Sequence, residues 1–138
     1  MASVSSDHAK PLVLLVDDER DVLDVLRDCV ESIGYATVTA RNGVAGLAAA
    51  RAEPPPDAVL LDIAMPGALD GAQTLRAIKA HRPSLPVIMV TANADLSLAQ
   101  ATLRDGALDY VMKPVDIARL REVLMAAMAV SGKAAPPE

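Results

Sequence analysis

The sequence predicts an α/β domain of the doubly wound type, with five parallel strands in one sheet and helices on both faces. Three observations predict it. Short apolar runs rich in β-prone side chains alternate five times with segments of helical periodicity. Most of these runs are continuously apolar, as expected of strands covered on both faces. The chain has 138 residues, enough for one domain with a real core and too few for two.

The first strand is expected at residues 12–16. A helix follows over 19–33, where Val22, Leu26, Cys29, Val30 and Ile33 recur at helical spacing and Gly34 supplies the stop. The second strand, 36–40, leads into a helix capped by Asn42 that runs through Ala52, before Pro54-Pro55-Pro56 forbids continuation. Strand three is expected at 58–61, a third helix at 70–80 ending near Pro83, strand four at 87–90, and a fourth helix at 94–104 closed by Gly106. Strand five is expected at 108–112, and Asp116 caps a last helix over 116–130. Residues 1–10 and 131–138 are expected as flexible tails, the second equally a truncated linker, leaving 11–130 as the domain. Right-handed crossovers favour the strand order 2-1-3-4-5, which places a ligand site outside the carboxyl ends of strands one and three.

Composition removes several classes of function. The net charge is -5 and no run of Lys or Arg occurs, so direct nucleic-acid or anionic-membrane contact is not expected. No stretch approaches the roughly 20 apolar residues of a membrane span. The start lacks the apolar middle of a signal peptide, so the expected location is cytoplasmic. Cys29 is the only cysteine, which excludes an internal disulfide and a cysteine-rich zinc site; it is expected as a small buried hydrophobe. His8 and His81 lie away from the strand ends and give no support to a histidine-rich metal site.

The strand ends carry the chemistry. Strand one ends in Asp17-Asp18-Glu19, strand three in Asp62, strand four in Thr91 and strand five in Lys113-Pro114. Singly, each has an ordinary structural explanation, as a helix cap, a turn former or a solvated lysine. Together they do not, because neighbouring strands lie about 4.8 Å apart and three carboxylates would share one cleft. Two such charges about 4 Å apart repel by roughly 4 kcal/mol at an effective dielectric of 20, so a counterion is expected. Oxygen ligands suit a hard divalent cation, Mg²⁺ first and Mn²⁺ second. Beside such a cation Asp62 can attack phosphorus and form an acyl phosphate, with Lys113 and the Thr91 hydroxyl facing the remaining phosphoryl oxygens.

These residues resemble the receiver domain of two-component response regulators, a flavodoxin-like (βα)5 fold of the CheY-like superfamily. The matching blocks are Val16-Asp17-Asp18-Glu19, Leu61-Asp62-Ile63-Ala64-Met65-Pro66, Val90-Thr91-Ala92, and the run Gly106-Ala107-Leu108-Asp109-Tyr110-Val111-Met112-Lys113-Pro114. The resemblance implies Asp62 as phosphoacceptor, Asp17 and Asp18 as the metal-binding acidic pair, and the Ala64 main-chain carbonyl as a further ligand. It implies Thr91 and Tyr110 as switch residues, Lys113 as the partner of the phosphoryl oxygens, and a cis bond before Pro114. Tyr35, the only other aromatic residue, is expected to serve packing alone. The stretch from Asp62 to Gly71 is one residue longer than the family's usual spacing, around Gly67-Ala68-Leu69-Asp70. Ala64 and Asn93 fall where the family's attacking water lies.

The same resemblance implies a sensor histidine kinase or histidine phosphotransfer protein as phosphodonor. It also implies a downstream protein or an output domain beyond these residues as receiver of the signal. The face built by the fourth helix, fifth strand and fifth helix would be the output surface, and a homodimer through it is one form such contact can take. Leu96, Leu98, Leu103, Met125 and Met128 could contribute there, although residues at that spacing are more often core. The expected function is a signalling regulator that catalyses only its own phosphorylation and dephosphorylation, not an enzyme acting on other substrates. Two alternatives remain: a receiver-like scaffold or dimerisation module that does not cycle phosphate, and a metal-dependent phosphohydrolase of the haloacid dehalogenase type. The second would want a nucleophile ending strand one with another Asp two residues on, whereas Asp17 and Asp18 are adjacent and Glu19 follows.

Overall fold

A computed structural model describes residues 10–137. His8 and nearly all of the expected N-terminal tail lie outside the described residues. The elements run β1 (Leu12–Val16), α1 (Arg20–Ile33), β2 (Ala36–Ala40), α2 (Gly43–Ala50), β3 (Ala58–Asp62), α3 (Gly71–His81), β4 (Val87–Thr91), α4 (Leu96–Thr102), β5 (Asp109–Met112) and α5 (Ile117–Ser131). All strand pairs are parallel, and their order is β2-β1-β3-β4-β5. This is the doubly wound sheet the sequence predicts.

Period-two alternation within the strands divides the core into two layers. Val13 and Leu15 of β1 face Leu23, Leu26 and Val30 of α1 and Leu120 and Leu124 of α5 in one cluster. Leu14 and Val16 face the other way and pack with Leu75 and Ile78 of α3. Every residue of β3 and β4 is buried, which explains why those runs read as continuously apolar. Cys29 is only half-buried, at the margin of the first layer rather than within it.

Element boundaries differ from expectation where side chains or pairing extend the ladder. β3 and β4 each run one residue further, to Asp62 and Thr91, because Ile63 N–H still donates to Val90 O at 3.0 Å and Lys113 N–H to Thr91 O at 2.7 Å. α2 stops at Ala50. The fourth helix is broken up: only Leu96–Thr102 is α-helical, between 3₁₀ turns at Asn93–Asp95 and Leu103–Asp105. Its single α-helical stretch buries just Ala99 and Thr102, too little apolar surface to stabilise a longer helix.

After α5 the chain turns at Gly132, whose φ is +74°. The Ser131 hydroxyl donates to Asp57 O at 2.6 Å, Lys133 Nζ lies 3.7 Å from Asp57 Oδ1, and Ala135 packs on the first core layer. A Cβ on Gly34 would come within 2.7 Å of Pro136. Among the described residues no helix is long and apolar enough to cross a membrane.

Candidate functional site

Register brings the four strand ends to one rim. Asp62 pairs with Val90, one residue before Thr91, and Thr91 pairs with Met112, one residue before Lys113. Val16 pairs with Leu61, one residue before Asp62, so Asp17 continues β1 beside it. Asp17 and Asp62 are 1% and 3% exposed, which makes them charged groups held at the top of an apolar core.

Asp17 uses its two carboxylate oxygens differently. Oδ1 accepts the Glu19 N–H at 2.9 Å, so Asp17 satisfies a free amide where α1 begins while Glu19 makes no side-chain cap. Oδ2 is buried 3.2 Å from Lys113 Nζ, an ion-pair contact, and has no well-formed hydrogen bond among the described residues. Asp62 Oδ1 accepts from Ala64 N–H at 3.3 Å and from Lys113 Nζ at 3.4 Å. One ammonium thus bridges carboxylates from two strands. The Lys113-Pro114 bond is cis, as the family resemblance implies.

Carboxylate oxygens of Asp17, Asp18 and Asp62 all lie within 4.8 Å of one another. Burial pushes Asp62 up from 3.8 to about 6; the charge of Asp17 adds to the rise, and Lys113 and the Ala64 N–H oppose it. Burial pulls Lys113 down, but the charges of Asp62 and Asp17 outweigh it and hold the ammonium above its ordinary range. The pocket is therefore short of positive charge even with its lysine in place. Three carboxylates with a buried, unsatisfied oxygen suit a hard divalent cation, and among the described residues this cluster is the one so arranged.

Thr91 is fully buried and its hydroxyl donates to Ala92 O at 2.9 Å. Tyr110 is half-buried against the second core layer, and its hydroxyl accepts from Gln100 Nε2 at 3.3 Å. Ala64 is exposed at the start of the loop after β3. In that loop Gly67 takes φ +109° with open space around it, and Asp70 opens α3 through a capping box with Gln73. Tyr35 is 1% exposed and its hydroxyl has no partner among the described residues, consistent with packing.

Residues 13–125 match the family described as response regulator receiver domain. The chain belongs to that family. The receiver is 38% identical over 117 residues to the transcriptional regulatory protein ZraR of Klebsiella oxytoca, covering 85% of this chain and 26% of that protein. It is 42% identical over 106 residues to the DNA-binding transcriptional regulator NtrC of Escherichia coli K12, covering 77% of this chain and 22% of that one. The chain therefore spans about a quarter of the length of these curated relatives. Among solved structures, the receiver domain of NtrX from Brucella abortus superposes with a TM-score of 0.80 at 36% identity, covering 85% of this chain and 98% of that one. A CheY-like receiver domain protein from Methanospirillum hungatei does so with a TM-score of 0.80 at 31% identity, covering 90% and 98%.

Sequence reasoning missed two positions in this receiver, one behind the rim and one between α4 and β5. Gly71 opens α3 so close behind the rim that a Cβ would lie 2.5 Å from Asp62 O; a glycine directly after a capping Asp is the signal of such an approach. Gln100 has no local signal at all, since its partner is brought near only by the fold. The apolar residues weighed as core divide: Leu98, Leu103 and Met125 are exposed, Leu96 is half-buried, and only Met128 is in the core.

Proposed function

We propose that this receiver takes a phosphoryl group on Asp62 from a phosphohistidine in a sensor kinase or phosphotransfer protein. The observation that carries this is the convergence of Asp17, Asp18 and Asp62 within 4.8 Å, with the Lys113 ammonium bridging two of them. An Asp62 carboxylate oxygen attacks phosphorus, the phosphorus–nitrogen bond of the donor breaks, and the electron pair leaves on the imidazole, which takes a proton. Asp17, Asp18, Asp62 and the Ala64 carbonyl would hold Mg²⁺, or Mn²⁺ in its place. When bound, that cation supplies charge neutralisation for the acidic cluster and the phosphoryl oxygens.

The chain's own residues do the rest. Lys113, already poised between the carboxylates, neutralises phosphoryl charge on the β5 side. Ala64 N–H orients the Asp62 carboxylate, and the buried core beneath excludes water from that side. The Thr91 hydroxyl, now on Ala92 O, is the neutral donor that can turn to a phosphoryl oxygen, and Tyr110 responds behind it. The output is carried by the α4-β5-α5 face, where Leu98, Met112 and Ile117 are exposed. Its partner is a downstream protein, an output domain or a second copy of the chain. At a net charge of -5 the receiver itself is assigned protein contacts rather than nucleic acid. Its chemistry is confined to its own acyl phosphate, which makes it a regulator and not a turnover enzyme.

The test is incubation with Mg²⁺ and a small-molecule phosphodonor, read by intact mass. A labile adduct in the wild type that is lost in Asp62→Asn supports the proposal. No adduct in either refutes it in favour of a non-cycling scaffold, and steady hydrolysis of many phosphoesters refutes it in favour of a hydrolase.

A further inference from the structure

We propose that Gln100 is a positioning residue for the switch: its hydrogen bond to the Tyr110 hydroxyl holds that ring in the resting arrangement and sets how easily the domain responds to phosphorylation. The inference rests on Thr91 and Tyr110 forming the switch, as argued above, and adds a residue with no place in that pair.

Four observations carry it. The Gln100 amide donates to Tyr110 Oη at 3.3 Å, joining the middle of α4 to β5. The helix that bears Gln100 is short, bounded by 3₁₀ turns, and fully buries only Ala99 and Thr102. The Thr102 hydroxyl turns inward to Ala99 O rather than to the sheet. Ion pairing does not fasten α4 itself to β5 either: the bridge from Arg76 reaches Asp105 in the turn after α4, and the bridge from Asp109 runs to Arg119 on α5. β5 is thus tied to α5 by Arg119, which reaches both Asp109 and Tyr110 O, and the polar side-chain link on the α4 side is the Gln100–Tyr110 bond. An element with few buried contacts moves first. A bond made in only one of two arrangements biases the equilibrium by its own strength.

The direction follows. Removing the amide takes stability from the resting arrangement alone, so Gln100→Leu shifts the population toward the responding one. Leu keeps high helix propensity and similar bulk, so α4 is not otherwise weakened. Loss of one solvent-exposed hydrogen bond corresponds to about a two- to fivefold change in that equilibrium. Gln100 touches neither Asp62 nor the acidic cluster, so its substitution leaves phosphoryl chemistry itself unaltered.

The chain holds two tyrosines and neither Trp nor Phe, so isotope-labelled tyrosine rings give two sets of NMR signals, with buried Tyr35 as internal control. The probe is beryllium trifluoride with Mg²⁺, a stable mimic of the phosphoryl group, titrated into the wild type, Gln100→Leu, Tyr110→Phe and the double variant. Expected is movement of the Tyr110 signal on titration of the wild type. In free Gln100→Leu that signal should already lie part-way to the titrated position, with the mimic binding about two- to fivefold tighter. In the Tyr110→Phe background Gln100→Leu should change nothing, which a general weakening of α4 would not reproduce. A wild-type Tyr110 signal that moves while Gln100→Leu matches the wild type in position and affinity overturns the latch and leaves the switch standing. A wild-type Tyr110 signal that stays still despite binding overturns the switch, and the latch with it.

Discussion

Replacing the proposed phosphoacceptor should make the metal-free receiver more stable. Asp62 is buried at the rim beside Asp17, and its carboxyl is pushed up from 3.8 to about 6. A shift of about two pH units, at about 1.4 kcal/mol each, means that holding Asp62 ionised in the native state costs roughly 3 kcal/mol. The sign follows from proton counting. Between pH 3.8 and about 6 the native state keeps the Asp62 proton while the unfolded chain has lost it. Stability due to this group therefore falls as pH rises through that window and is flat above it. Asn keeps an oxygen for the Ala64 N–H and removes the charge, but Lys113 loses an ionic partner, so the net gain at pH 7 should be about 1–3 kcal/mol. Urea denaturation in EDTA at pH 4.5 and 7.5 measures it: the gain of Asp62→Asn over the wild type should be clearly larger at the higher pH, and Mg²⁺ should close the gap by stabilising the wild type. Equal or lower stability of Asp62→Asn at pH 7.5 in EDTA would refute the account of this pocket as under-neutralised.

Mg²⁺ affinity should fall about tenfold per pH unit below about pH 6, because a protonated Asp62 must lose its proton to ligate; titration calorimetry at pH 5, 6 and 7 reads the slope, and a flat profile would remove Asp62 from the ligand set. Gly71→Ala places a Cβ 2.5 Å from Asp62 O and should cost about 1–3 kcal/mol of stability together with weakened Mg²⁺ binding, whereas loss of stability with unaltered affinity would show that α3 yields without moving Asp62. Tyr35→Phe removes a buried hydroxyl with no hydrogen-bond partner among the described residues, so thermal unfolding should show no loss and a gain of up to about 1 kcal/mol; a loss would reveal a partner for the hydroxyl.

The sheet was legible because its residues report a global condition locally. A strand covered on both faces must be apolar at every position, and the runs around Leu60 and Met89 are, so β3 and β4 could be placed with their neighbours undetermined. Helix caps were legible for a similar reason: Asn42 and Asp116 satisfy amides three residues ahead, within reach of the sequence window. The fourth helix was legible in place but not in extent, because the tertiary structure leaves Leu98 and Leu103 uncovered and supplies little burial to hold the ends in α-helical geometry. The gathering of Asp17, Asp62, Thr91 and Lys113 was legible through topology, since a 2-1-3-4-5 order leaves strand ends nowhere else to go. What topology does not carry is which atom meets which: that Asp17 spends one oxygen on the Glu19 amide, or that Gln100 finds Tyr110, depends on side-chain geometry that no local pattern encodes.

Asp17 shows how the fold and the pocket depend on each other. Its Oδ1 helps to start α1 at the carboxyl end of β1, and that bond fixes the carboxylate so that Oδ2 must face Asp62 and Lys113. A flexible side chain would swing its second oxygen into water and relieve the repulsion; this one is held by the same amide that begins the helix. The repulsion is sustained by the core beneath it, where Val13, Leu15, Leu60 and Leu61 are fully buried and each contributes about 1.5–3 kcal/mol. A pocket that is costly to leave ionised, on a scaffold stable enough to bear the cost, has free energy to release when its charge balance changes. On the proposed function a cation or a phosphoryl group would alter that balance at Asp62, and α4, joined to β5 through the Gln100 amide, is the neighbour proposed to take up the change.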